Sequence, residues 1–405
     1  MLKLFNTLGR KLKPFEPVNR KLVTMFTCGP SVYQRAHIGN FRTFLFEDVL
    51  DRYLEFSGYN VKRGMNFTDI EDKAIAEAKK KKTTVQRLAD ANIRIFLKEM
   101  KLLGMEIPDY LPKASECVDQ TAEIIRILVK KGIAYRHGGN VYFDPLRFPG
   151  FGKLYGLDMS RWPKKKRRFH RDTYPGNRWN LGDFILWHGY KQGDEYCWEA
   201  EIGRGRPSWN IQDPGIVAKY FTETLSLYCG GIDNLYRHHD YTRAIVQSVR
   251  PYPMARFWLH CHLLTVNGQK MSKSRGNILY TDDLRRLGYS MQEIRFFLIY
   301  AHYRERLDYS EKRFESAVRK LRTLKSAVKK IGSVSTPESS HEGSISRKLR
   351  RTFVESMDDD LHVQQAFDGL YTIISGIDRN GLKAAEASAI ISILRQIDTV
   401  LGVIF

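Results

Sequence analysis

The feature that most constrains the fold is a repeated change of hydrophobic period near the amino end. "KLVTMFT" (residues 21–27) alternates and carries β-branched side chains, the pattern of a strand ending at Cys28. After Gly29-Pro30, the residues Phe46, Val49, Leu50, Tyr53 and Leu54 recur at helical spacing, and Gly58 closes that helix. "YNVKRGMNFT" (59–68) returns to a strand pattern and "IEDKAIAEAKKK" (70–81) to a helical one. Strand, helix, strand, helix opens a parallel α/β sheet.

Helices follow over residues 85–103 and 114–131, the second stopping at Gly132. A loop-rich, basic and aromatic insertion spans about 145–206, and the sheet resumes near Trp209 and runs to about residue 278. Beyond it the chain reads as helix. Phe314, Val318, Leu321 and Leu324 make one apolar stripe, and Leu370, Ile373 and Ile374 another. "GSVSTPESSHEGS" (332–344) is polar and reads as a flexible connection between two helical groups. The expected organisation is an α/β, Rossmann-like parallel-sheet domain over 1–278, first bundle helices over 279–331, a linker over 332–344 and the last bundle helices over 345–405. No internal repeat is visible.

The 405 residues suggest two or three domains, and with 42% hydrophobic and 27% charged residues the chain buries a core. No apolar run is long enough to span a bilayer and no secretory signal is visible, so a cytoplasmic location is expected, with no obligate protein partner in view. The five cysteines (Cys28, Cys117, Cys197, Cys229, Cys261) form no C-x-x-C pair and imply no disulfide framework. A formal charge of +21 favours a polyanionic partner, with nucleic acid the first candidate. Two lysine-rich segments, 79–82 and "PKKKRRFHR" (163–171), concentrate that charge, although such runs are usually solvated surface.

Two short motifs carry chemistry. His37-Ile38-Gly39-Asn40 falls where a strand's carboxyl end gives way to a helix amino terminus, the place where an open α/β sheet binds ligand and the helix dipole favours phosphate. Gly39 lets a flat purine lie against backbone, and His37 can donate to a phosphate oxygen. Alone, such a histidine is more often a cap. "NGQKMSKSRGN" (267–277) sets Lys270 and Lys273 around Met-Ser with glycines on both sides, a cationic loop suited to a triphosphate. No GxxxxGK[ST] is present, which excludes the nested loop of P-loop enzymes.

These two motifs resemble the signatures of class I aminoacyl-tRNA synthetases, and the chain is more narrowly similar to the cysteinyl-tRNA synthetase family. "TCGPSVY", "NFTDIEDKAI", "GRPSWNIQ", "CGGIDNLYRHHD", "LTVNGQKMSKSRGNI", "HYRERLDYSE" and "MDDDLHVQQAF" carry the resemblance in the family's order. It implies ATP with Mg2+, an amino acid and tRNA as substrates, an aminoacyl-adenylate, and transfer to a ribose hydroxyl at the tRNA 3′ end. His37, Asn40, Lys270 and Lys273 then serve catalysis, and Gly29, Gly39, Gly230, Gly231 and Asp233 join them around ATP and adenylate. Residues 279–331 would touch the tRNA stem. Cys28, Ser31, Thr68, Trp209, Asp213, Tyr228 and Thr242 would form the amino-acid pocket.

The resemblance also implies a zinc ion whose ligand pattern this chain departs from. Cys28 and His238 match two family ligands, whereas Asp213 stands for a cysteine, Thr242 for a glutamate and Tyr228 for a histidine of the "H-G-G-G" turn. Either Asp213, Cys28 and His238 keep a weakened Zn2+, helped by Cys229 or His239, or the metal is gone; loss is the favoured reading. The small domain that family members carry beyond the bundle is not expected in this chain. Two other readings stay open: a ligase passing its adenylate to a small amine or carrier, and a non-catalytic RNA-binding paralogue.

Overall fold

The computed structural model describes residues 1–158, 183–335, 343–378 and 381–405. Its centre is a four-stranded parallel sheet, ordered Ala255–Cys261, Leu225–Gly231, Val23–Thr27, Val61–Met65. Val23, Met25, Phe26, Leu227, Tyr228 and Leu259 are all buried, as strands covered on both faces require. Strand order reverses between Val23–Thr27 and Leu225–Gly231, where Met25 pairs with Leu227 and Thr27 with Cys229. The crevice beyond those two carboxyl ends is where such a sheet takes ligand.

Helix Ile38–Phe56 packs Phe41, Leu45, Val49 and Tyr53 into the core at helical spacing, and Gly58 (φ 87°) ends it in a conformation that favours glycine. Buried charges on this helix fasten distant segments. Arg42 donates to the carbonyls of His262, Leu298, His302 and Glu305. Asp48 pairs at 2.8 Å with Arg295, which also donates to the carbonyls of Leu103 and Leu401.

The remainder is more strand-rich than the sequence suggests. An amino-terminal hairpin pairs Lys3–Asn6 with Lys11–Pro14. Its Phe5 amide donates to Asp360, the Asp360 amide donates to the Lys3 carbonyl, and Tyr303 also donates to the Asp360 carboxylate. The region expected to be loop-rich contributes Phe184–Gly189 and Gly205–Pro207 to an antiparallel sheet that starts earlier, with Ala134–His137 and Asn140–Phe143. "PKKKRRFHR" lies outside the described residues, as does most of the expected 332–344 connection.

Helices Glu311–Gly332, Ser344–Asp358, Val363–Ser375 and Ala384–Leu401 follow. Phe314, Val318, Leu321, Leu324, Leu370 and Ile374 are buried, while Ile373 is only partly so. Among the described residues no helix is long and apolar enough to cross a membrane.

Candidate active site

His37 caps helix Ile38–Phe56: the Asn40 amide donates to His37 Nδ1 (3.3 Å), and the His37 amide donates to Asn40 Oδ1 (3.0 Å). A ring nitrogen that accepts carries no proton, so the neutral ring keeps its donor on Nε2. Burial lowers the His37 pKa against the smaller opposing pull of Asp233, which maintains that neutral form.

The second motif is a tight hairpin rather than a simple loop. Leu264–Val266 pairs with Gln269–Lys270 across Asn267 and Gly268, both at positive φ (49° and 75°). A short turn, Lys273–Arg275, follows. The hairpin brings Met271 against Gly39, where an added Cβ would stand 2.5 Å from Met271 Cε. Lys270 Nζ lies 3.6 Å from Asp233 Oδ2, and Lys273 Nζ lies 5.9 Å from the Tyr33 ring centre. A cavity of about 770 Å³ is lined by Cys28, Gly29, Ser31, Asn40, Trp209, Gly231, Asp233, His238 and Lys270; His37, Gly39 and Lys273 are not in its lining. Gly29 has no room for a side chain, because a Cβ would collide with the Asn66 carbonyl.

At the closed end, Asp213 is fully buried in the first turns of helix Trp209–Tyr220. Its Oδ2 accepts from the Tyr228 hydroxyl (2.6 Å) and from His238 Nε2 (3.0 Å), and its Oδ1 accepts from the Asn66 amide (3.1 Å). Burial alone would raise the Asp213 pKa, but His238, Tyr228 and Cys28 together hold it below the usual carboxylate value. Burial and the Asp213 charge push the Cys28 thiol and the Tyr228 phenol well up, so both stay protonated. The Trp209 ring stacks on His238 at 3.9 Å and 10°.

A π-helical turn, Leu235–His239, precedes helix Asp240–Val249 and presents two consecutive buried histidines. His239 Nδ1 meets His260 Nε2 at 2.8 Å, and His260 Nδ1 meets Thr7 Oγ1 at 2.8 Å. Burial lowers both pKa values, that of His260 to about 3, which keeps this chain of rings neutral.

Residues 14–319 match the family described as tRNA synthetases class I (C) catalytic domain. The chain is 36% identical to the cysteine--tRNA ligase of Chlamydia muridarum, covering 99% of this chain and 87% of that protein. It is 31% identical to the cysteine--tRNA ligase of Protochlamydia amoebophila, covering 100% of this chain and 86% of that one. The chain belongs to the cysteinyl-tRNA synthetase family. The fold agrees: a methionyl-tRNA synthetase of Mycobacterium tuberculosis bound by methionyl-adenylate superposes with TM-score 0.66 at 13% identity, covering 94% of this chain and 92% of that one.

The family resemblance implies a metal at four positions of this synthetase: Cys28, Asp213, His238 and Thr242. Cys28 and His238 are suitable soft or borderline donors. The Asp213 carboxylate is already taken by three hydrogen bonds, and Thr242 offers a neutral hydroxyl. Because a carboxylate only accepts, His238 Nε2 carries the proton in its bond to Asp213. That set does not fit a four-coordinate zinc. Cys28, His238 and His239 do form a buried group with donor atoms inside 4.8 Å of one another, but His239 is outside the pattern and Asp213 outside the group.

Several expected site residues lie behind the cavity wall instead of in its lining. Asp213, Tyr228 and Thr242 are fully buried. The Thr68 backbone bonds to Pro30 and Val32, which holds the Ser31 turn, and Gly230 backs onto His239. Asn66 was missed as a functional residue, although it sits inside the quoted "NFTDIEDKAI". Its side chain accepts from the Gly29 amide and donates to both Thr68 and Asp213. The His239–His260–Thr7 chain was also missed, and nothing in the local pattern announces it.

Proposed function

We propose that this synthetase condenses an amino acid with ATP and transfers the product to tRNA, with Asn40 of one signature motif and Lys270 of the other lining one cavity. An amino-acid carboxylate oxygen attacks the α-phosphorus of ATP, taken with Mg2+ as in the family. The bond to the bridging oxygen breaks, and pyrophosphate leaves. A ribose hydroxyl of tRNA then attacks the aminoacyl carbonyl carbon, and AMP departs with the electron pair of the mixed anhydride.

His37 Nε2–H and Asn40 meet the polyphosphate at the start of helix Ile38–Phe56, where the helix dipole adds positive potential. Lys270 and Lys273 offset the charge that builds as pyrophosphate separates. Gly29 gives the nucleotide bare backbone, and Gly231 and Asp233 flank the adenosine. Trp209, Ser31 and Cys28 face the amino-acid side chain. The net charge of +21 suits phosphodiester contacts with tRNA.

The observation that carries this reading is the contact of Met271 with Gly39 beside the Lys270–Asp233 pair, which joins the two signature motifs at a single cavity. ATP–pyrophosphate exchange screened over all the amino acids, followed by charging of total tRNA, tests it. Exchange with one amino acid and its transfer to tRNA are expected. Exchange without transfer would refute the tRNA step, and no exchange would refute the adenylate step.

A further inference from the structure

We infer that the amino-acid pocket of this synthetase works without a bound metal, the Tyr228 hydroxyl and the Asp213 carboxylate filling the ground where the family pattern gathers its ligands. The inference rests on the catalytic reading above but concerns a different property of the same site. Its basis is the way the departures fit one another. Position 213 supplies an acceptor, position 228 supplies a donor aimed at it from 2.6 Å, and position 242 puts a hydroxyl beside the same phenol. The two family ligands that persist are drawn into this arrangement. His238 Nε2 spends its proton on Asp213, and the Cys28 thiol faces the same carboxylate.

The result is a hydrogen-bonded unit with Asp213 at its hub and Asn66 completing it from the opposite side, while His238 Nδ1 and Thr242 Oγ1 have no hydrogen-bond partner among the described residues. All the members are buried, so each bond is made away from water and none is idle at the hub. A cation entering at Asp213 would have to displace both the phenol and the imidazolyl proton from one carboxylate oxygen, and it would find a threonine where a second anionic ligand is needed. What the substrate side chain meets is then the Cys28 thiol, the Asn234 amide 3.7 Å from that sulfur, and the His238 ring over Trp209.

The test uses the full chain, produced in zinc-supplemented medium and freed of loosely held ions by dialysis. Metal content is measured by mass spectrometry, and the protein is titrated with Co2+ while the thiolate-to-cobalt charge-transfer band is followed. Zinc far below one ion per chain and no such band are expected. About one zinc per chain, or a band saturating at one Co2+, overturns the inference, including a site built on Cys28, His238 and His239. Pyrophosphate exchange is run in parallel with excess Mg2+ and a zinc-selective chelator. Unchanged exchange is expected, and loss restored by zinc overturns the inference. Absence of exchange with every amino acid would instead refute the catalytic reading, while the metal measurement still decides this one.

Discussion

Gly39→Ala tests the meeting of the two signature motifs most directly. The new methyl group would stand 2.5 Å from Met271 Cε and 3.1 Å from the His37 ring. Comfortable carbon contacts begin near ~3.5 Å, so Met271 has to retreat by about 1 Å or more. Met271 is only 7% exposed, and its retreat lifts the lysine hairpin from helix Ile38–Phe56. Overpacking of this kind costs about 1–3 kcal/mol. If the cost falls on the closed, ATP-bound state, kcat/KM for ATP in the exchange assay drops roughly 5- to 150-fold. A second substitution, Met271→Ala, removes the obstructing atoms. The double variant Gly39→Ala/Met271→Ala is expected to recover about 1 kcal/mol relative to additivity, the coupling expected of residues in contact. Strict additivity would mean that the two residues do not touch in the working enzyme, and the single-cavity reading would fail with it.

Lys273→Ala should abolish exchange while leaving the thermal midpoint within error, since an exposed lysine contributes little to stability; a collapsed midpoint would contradict that placement. Glu47 is fully buried, neither of its oxygens has a partner, and burial raises its pKa well above 4.5. The folded state therefore holds a proton that the unfolded chain gives up, so stability should fall as pH rises from about 4.5 towards the folded-state pKa. Glu47→Met should remove that slope and stabilise the protein by about 1–3 kcal/mol at pH 8, read from urea unfolding at several pH values. Arg295→Met leaves Asp48 buried with its partnership to Arg52 alone among side chains and strips donors from the Leu103 and Leu401 carbonyls, for an expected loss of about 3–5 kcal/mol in the same assay. A loss below ~1 kcal/mol would show that water or rearrangement replaces the pair.

The opening of the central sheet was legible because residues 21–27 alternate with β-branched side chains and Phe46, Val49, Leu50, Tyr53 and Leu54 recur at helical spacing. The smaller sheets were not, since strands such as Gly205–Pro207 and Gln269–Lys270 are too short to show any period. Asn267-Gly268 is itself a hairpin signal, hidden by the lysines around it that read as a mobile loop. At the closed end of the pocket, the sequence reveals that Asp213 and Thr242 depart from the family pattern. It does not reveal that Tyr228 and Asn66 take up the Asp213 carboxylate. Asn66 lies 147 positions from Asp213, and no periodicity reaches that far. The neutral chain through His239, His260 and Thr7 is invisible for the same reason, its last link spanning 253 positions.

The bond from the Phe5 amide to Asp360 spans 355 positions, and its consequence is felt on the ribosome. At about 5–20 residues per second, the first strand emerges roughly 20–70 s before the carboxylate that anchors it is even synthesised. Until then the Phe5 amide and the Lys3 carbonyl wait for the partners that Asp360 supplies.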